Sequence, residues 1–165
     1  MSAELIALGR YLDSYRGAAR WKLEGLDEEQ ARHVAVPSGT NLLSVLKHLG
    51  YVERFWFQEV AAQGKPTYPS SDDDPDAEFR LEPGDTVASV TAFHTAECDK
   101  SREILAGFDS GETLVPFSSG ELTIRDLALH MLEEIARHVG HMDIIREQVD
   151  GATGGFPRGG APWEI

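Results

Sequence analysis

The 165 residues, 41% of them apolar with three Trp and seven Phe, suffice for one globular domain with its own core. Fifteen Lys and Arg against 28 Asp and Glu give a formal charge of −13, which repels nucleic-acid phosphate and anionic lipid alike, so neither a nucleic-acid nor a membrane partner is expected. Cys98 is the single cysteine, which excludes an intrachain disulfide and a cysteine-rich zinc site; with no leader-like segment and no apolar run near ~20 residues, the expected location is cytoplasmic.

Ser2 is placed to cap a first helix reaching about Glu24, with Leu5, Leu8, Leu12, Tyr15, Ala19 and Leu23 at helical spacing and Gly25 as its stop. Leu26 to His33 reads as a short helical turn with His33 in solvent, and Pro37 and Gly39 keep the following stretch out of helix. Thr40 or Asn41 caps a second long helix to about Ala62, patterned Leu42, Val45, Leu46, Leu49, Val52, Phe55, Trp56. His48 falls in line with Val45, Val52 and Phe55. A lone histidine there is ordinarily a satisfied core residue, so it matters only if something meets it.

Gly64 to Gly84 is rich in Pro, Ser and Asp and reads as a crossover between two parallel neighbours, too polar to bury. Its run Asp72-Asp-Asp-Pro-Asp76 lacks the glycine and terminal glutamate of a calcium loop and is assigned no metal. Asp85 caps a third helix to about Ala106, with Val87, Val90, Phe93, Ile104 and Leu105 inward. His94 and Cys98, four apart on it, have no evident third partner and read as a packed thiol beside a partly exposed imidazole. Gly107 to Glu121 suits a short extended pair or a loop. Thr123 with Asp126 then opens a fourth helix that ends near Asp150-Gly151. The expected fold is an all-α four-helix bundle over residues 1–154, with the long crossover between helices two and three. Residues 155–165 form a draped or disordered tail, whose Trp163 can dock on a surface.

The fourth helix carries the chemistry. His130, Glu134, His138 and His141 lie at intervals of four, four and three, which at about 100° per residue places them in one stripe, roughly 80° wide. Leu127 and Ile145 lie close to its centre line, with Met131 beside it, so the stripe is expected to face the core. His48 on the second helix can meet Glu134 and His138, a turn apart, to make a His, Glu, His tripod that leaves a divalent metal an open position. Zinc suits this set best; nickel and iron also fit. His130 and His141 then become supporting partners or proton acceptors.

A ferritin-like dinuclear site is disfavoured, because Lys100 and Arg137 stand three residues after Glu97 and Glu134 where such sites carry histidine. A hydrogen-bonded network without metal is the bland alternative, but it must satisfy every buried member.

The segment Val36-Pro-Ser-Gly-Thr-Asn-Leu-Leu-Ser-Val-Leu-Lys-His48-Leu, the pair Glu53 and Trp56-Phe, and Glu133-Glu-Ile-Ala-Arg-His138-Val-Gly-His141-Met-Asp resemble the DinB-like superfamily. The likeness runs roughly from Leu5 to Gly154 and is strongest toward the mycothiol-dependent maleylpyruvate isomerases and mycothiol S-transferases. It implies a four-helix bundle that commonly forms a homodimer. It also implies three ligands falling on His48, position 134 and His138; Glu at 134 departs from the all-histidine pattern, but matches the isomerase set. His141 stands where many relatives have Gln.

The implied activity is transfer of a low-molecular-weight thiol, of mycothiol type, to an electrophile through a metal-activated thiolate, with His141 as base or orienter. Two other readings use the same residues: a non-catalytic dimeric module that binds metal or a small molecule, and a metal-dependent hydrolase or isomerase.

Overall fold

The computed structural model describes residues 1–163; Glu164 and Ile165, the end of the expected tail, lie outside the described residues. Helix α1 (Ala3–Trp21) begins where Ser2 Oγ accepts the Leu5 N–H, and a short α2 (Glu28–Ala31) follows. Helix α3 (Leu42–Glu53) starts in a capping box between Asn41 and Ser44 and continues as a π-helical run over Arg54–Ala61. Helix α4 spans Val87–Ala106. A two-residue turn joins β1 (Leu114–Phe117) to β2 (Gly120–Thr123) in an antiparallel hairpin. The Thr123–Asp126 capping box opens α5 (Ile124–Asp150), and Gly151, at φ 78°, ends it in the left-handed region that glycine tolerates best.

Four long helices therefore pack together, α1, α3 with its π extension, α4 and α5, as the sequence pattern predicts. Their directions follow from contacts. Lys47 meets Asp85 and Arg54 meets Glu97, so α3 and α4 run parallel; Glu4 meets Arg125 and Lys22 meets Asp143, so α1 and α5 do too. His48 against Glu134 and Trp56 against His130 make α3 antiparallel to α5. The parallel α3/α4 pair demands a return connection, and the crossover supplies it. At Gly50 an added Cβ would sit 2.5 Å from the Phe93 ring, which is how closely α3 and α4 approach.

Leu5, Leu12, Leu42, Leu46, Leu49, Leu127, Met131, Ile135 and Met142 form the center of the core. Charged pairs are buried with them. Arg16, 1% exposed, holds Glu53, 0% exposed, through two bonds of 2.7 Å, and Glu97 takes Arg54, Gln58 and Lys100. The tail drapes back on α1, where Phe156 meets the Tyr15 ring edge-on at 5.0 Å and Trp163 in turn meets Phe156. No helix among the described residues is long and apolar enough to cross a membrane.

Three expectations change. Helix α4 is capped by Thr86, whose box partner is Ser89, while Asp85 receives Lys47 and the Glu82 N–H. His94 is not partly exposed but fully buried. The crossover, expected to be too polar to bury, turns through a short 3-10 segment, Ala77–Phe79, and buries Glu78 against α3.

Candidate metal centre

His48 is brought inward by the same phase that buries Val45, Leu49 and Val52, and α5 crosses it with Glu134 and His138 one turn apart. Glu134 Oε1 is the hinge of the cluster, 3.2 Å from His48 Nε2 and 3.1 Å from His138 Nε2. One ligand atom from each of the three lies within 4.8 Å of the others, so the set can hold a metal ion. The donor chemistry fits. With metal–ligand bonds of about 2.0–2.1 Å, neighbouring vertices of a tetrahedron stand about 3.3–3.4 Å apart, close to both measured separations.

The other two members of the stripe are elsewhere. His130 and His141 are exposed rather than core-facing, and Glu134 and His138 sit half-buried at the boundary. The reason is phase: the buried face of α5 is centred near Met131 and Met142, and His130 and His141 lie roughly 100° round the helix from it. Leu127 and Ile145 mark one edge of that face rather than its middle. His130 stacks edge-on against Trp56 at 4.5 Å, well placed on the π run but apart from the three. His141 presents its ring at 5.4 Å and 86° to that of His138, one turn on.

The electrostatics follow from these contacts. Hydrogen bonds from His138 and His48 hold the Glu134 carboxyl far below the usual carboxylate range, against the opposing effect of burial. The wall of protein beside His141, then His138 and Arg137, lower its pKa. His48 Nδ1 and His138 Nδ1 are buried with no hydrogen-bond partner among the described residues, so the imidazoles are not a closed network as they stand.

Sequence reasoning missed the groups that the crossover contributes. Phe79 stacks on His48 at 4.0 Å and 10°, and Glu78, 5% exposed, brings Oε1 to 3.5 Å from His48 Nδ1. Tyr68 donates to the same Glu78 oxygen at 3.0 Å. No helical or strand period relates these residues to His48, so only the acidic character of the stretch was visible beforehand.

His94 and Cys98 lie apart from the centre, packed together at 3.6 Å, with Arg20 3.3 Å from His94 Nδ1. Burial pushes the Cys98 thiol up to about 12; burial, then Arg20, Arg16 and Arg102, push His94 down to about 3. Both are buried, and these shifts favour the neutral thiol and the neutral imidazole.

Beside the centre, sharing Phe79 with it, a cavity of about 540 Å³ is lined by Ser38, Thr40, Asn41, Ser44 and Asp76 on its polar side and by Phe79 and Leu81 on its apolar side.

A family model described as Mycothiol-S-transferase matches residues 7–151. No curated protein and no solved structure matches the chain.

Proposed function

We propose that this chain, which belongs to the mycothiol-S-transferase family, a DinB-like family, binds a divalent metal through His48, Glu134 and His138 and transfers a low-molecular-weight thiol to an electrophile. The observation that carries the reading is the convergence of one ligand atom each from His48, Glu134 and His138 within 4.8 Å, with Glu134 Oε1 at near-tetrahedral spacing from both imidazoles. Zinc is the best fit to two imidazoles and a carboxylate; nickel and iron are the alternatives. A bound dication favours thiolate over thiol at neutral pH.

The residues of the chain do the rest. Glu134 offsets part of the cation's charge. His141, open to solvent one turn past His138, accepts the thiol proton. The sulfur then forms its bond to the electrophilic atom, whose leaving group departs with the electron pair. The cavity beside Phe79, with Ser38, Thr40 and Asp76 on its wall, has room and hydrogen-bonding groups for the hydroxylated body of such a thiol. A homodimer is what the DinB-like resemblance implies, and the reaction suits the cytoplasm, where small thiols stay reduced.

The test measures metal per chain in wild type and in His138→Ala, together with consumption of mycothiol and an activated aryl halide. One metal and thiol transfer in wild type, both lost in His138→Ala, are the expected results. Equal substoichiometric metal in both proteins removes the metal centre. A metal that is present and lost in the variant, with no turnover in either protein, leaves the non-catalytic module.

A further inference from the structure

We propose that Glu78 is a positioning residue of this centre: its carboxylate accepts a hydrogen bond from His48 Nδ1–H and so favours the tautomer that leaves the Nε2 lone pair free for an ion shared with Glu134 and His138. The assignment rests on the metal-binding reading given above. A neutral imidazole that ligates through one nitrogen carries its proton on the other, and a buried N–H needs an acceptor. Here His48 Nε2 donates to Glu134; once Nε2 is given to an ion the proton must move to Nδ1, which is buried and without a hydrogen-bond partner among the described residues. Glu78 Oε1 stands 3.5 Å from it, about half an ångström beyond an ordinary N–H···O bond, and Glu78 Oε2 is also buried and unpartnered.

The surroundings of Glu78 are built to hold it there. Its backbone N–H is bonded to Ser70 Oγ at 3.3 Å, and the Tyr68 hydroxyl donates to Oε1 at 3.0 Å. Burial, then Glu78 itself, push the Tyr68 phenol well above its usual pKa, so it remains a donor. Tyr68 is in turn packed against Phe55 at 5.1 Å, and Phe79 covers one face of the His48 ring. A chain of contacts thus runs from the π segment through Tyr68 and Glu78 to His48. Glu78 itself meets neither the ion nor the substrate in this arrangement.

The experiment measures zinc affinity by competition with a chromophoric chelator for wild type, Glu78→Ala, Glu78→Gln, Tyr68→Phe and His138→Ala. In parallel, long-range proton–nitrogen NMR reads the His48 tautomer of each zinc-free protein, and thermal melts establish that each is folded. Glu78→Ala is expected to weaken zinc about 10–100-fold and, in the zinc-free protein where Glu78 and Glu134 compete for the His48 N–H, to shift the tautomer balance toward Nε2–H. Glu78→Gln keeps an acceptor oxygen of the same shape, so its loss is smaller; it carries the test if Glu78→Ala does not fold. Tyr68→Phe, which only frees the carboxyl, loses less again. In Glu78→Ala, zinc binding within threefold of wild type or an unchanged His48 tautomer overturns the proposal, because a merely structural role leaves the tautomer alone; in Glu78→Gln, affinity and tautomer both identical to wild type do so. His138→Ala separates the two readings. If it binds zinc like wild type, the metal centre itself is wrong; if it loses zinc while the Glu78 variants keep theirs, only the role of Glu78 is wrong.

Discussion

Replacing Glu53 by Ala strikes the buried pair that ties α3, the helix carrying His48, to α1. Arg16 and Glu53 are 1% and 0% exposed and joined by two bonds of 2.7 Å, so the variant strands a guanidinium in the core. Breaking one side of such a pair costs about 3–5 kcal/mol. Arg16 retains Asp13 at 2.9 Å and the Phe57 ring at 5.7 Å, which puts the loss near the lower end, about 3 kcal/mol. At about 2.1 cal/mol/K per residue over 165 residues, the unfolding entropy is about 0.35 kcal/mol/K, so Tm should fall by about 9 °C. Calorimetry and urea titration at constant pH measure both quantities. The double variant Arg16→Met with Glu53→Leu removes the stranded charge and should recover most of the loss. A single variant less than about 1 kcal/mol down, or a double variant no better than the single, refutes the account.

Glu97 predicts an acid dependence. Burial pushes its carboxyl up, but hydrogen bonds from Arg54, Gln58 and Lys100 outweigh this and bring it down to about 2. Its folded pKa lies below the unfolded one, so the stabilisation is complete above the ordinary value and disappears as pH falls toward 2. Glu97→Gln should lower stability at pH 7 by about 2 kcal/mol, less than the full shift because Arg54 and Lys100 reach solvent, and urea titrations should show the gap from wild type closing in acid. Cys98 should resist alkylation in the folded protein and react in urea, and Cys98→Ala should transfer thiol at the wild-type rate. Thr40→Trp, which fills the cavity beside Phe79, should raise KM for mycothiol several-fold while leaving that for N-acetylcysteine, a smaller thiol, unchanged.

Helix positions and caps were readable because they are local. Asn41 and Thr123 each announce a start, and leucines at helical spacing announce a buried face. The one displaced cap is instructive. Asp85 and Thr86 are both good capping residues, and what decides between them is Ser89 at box spacing from Thr86, together with Lys47 on another helix claiming Asp85. The pairing of His48 with Glu134 and His138 was readable for a related reason, since two helical phases had only to be matched across a bundle.

What escaped the sequence was long-range. Charged Arg16, Glu53 and Glu97 look like solvent-facing residues until partners on other helices bury them, and the core face of α5 is drawn too far toward His130 when Leu127 and Ile145, which mark its edge, are taken as its middle. The π run likewise keeps the apolar spacing of a helix, so nothing in Phe55-Trp56 distinguishes it. Glu78 sits in a stretch whose composition argues for solvent, and only the return path between two parallel helices carries it to His48.

That return path has a consequence for how such a site can diversify. Helices pointing the same way cannot be joined by a tight turn; the linker must travel back along α4, whose twenty residues span about 30 Å. A long segment is therefore obligatory for the topology, whatever it covers. Between Gly64 and Gly84 only the anchor at Tyr68, Glu78 and Phe79 is tied to the ligand histidine. Under the proposed function, the remainder is an exchangeable cover, in which insertions or new side chains would redirect the choice of electrophile while the helices and the three converging side chains stay as they are.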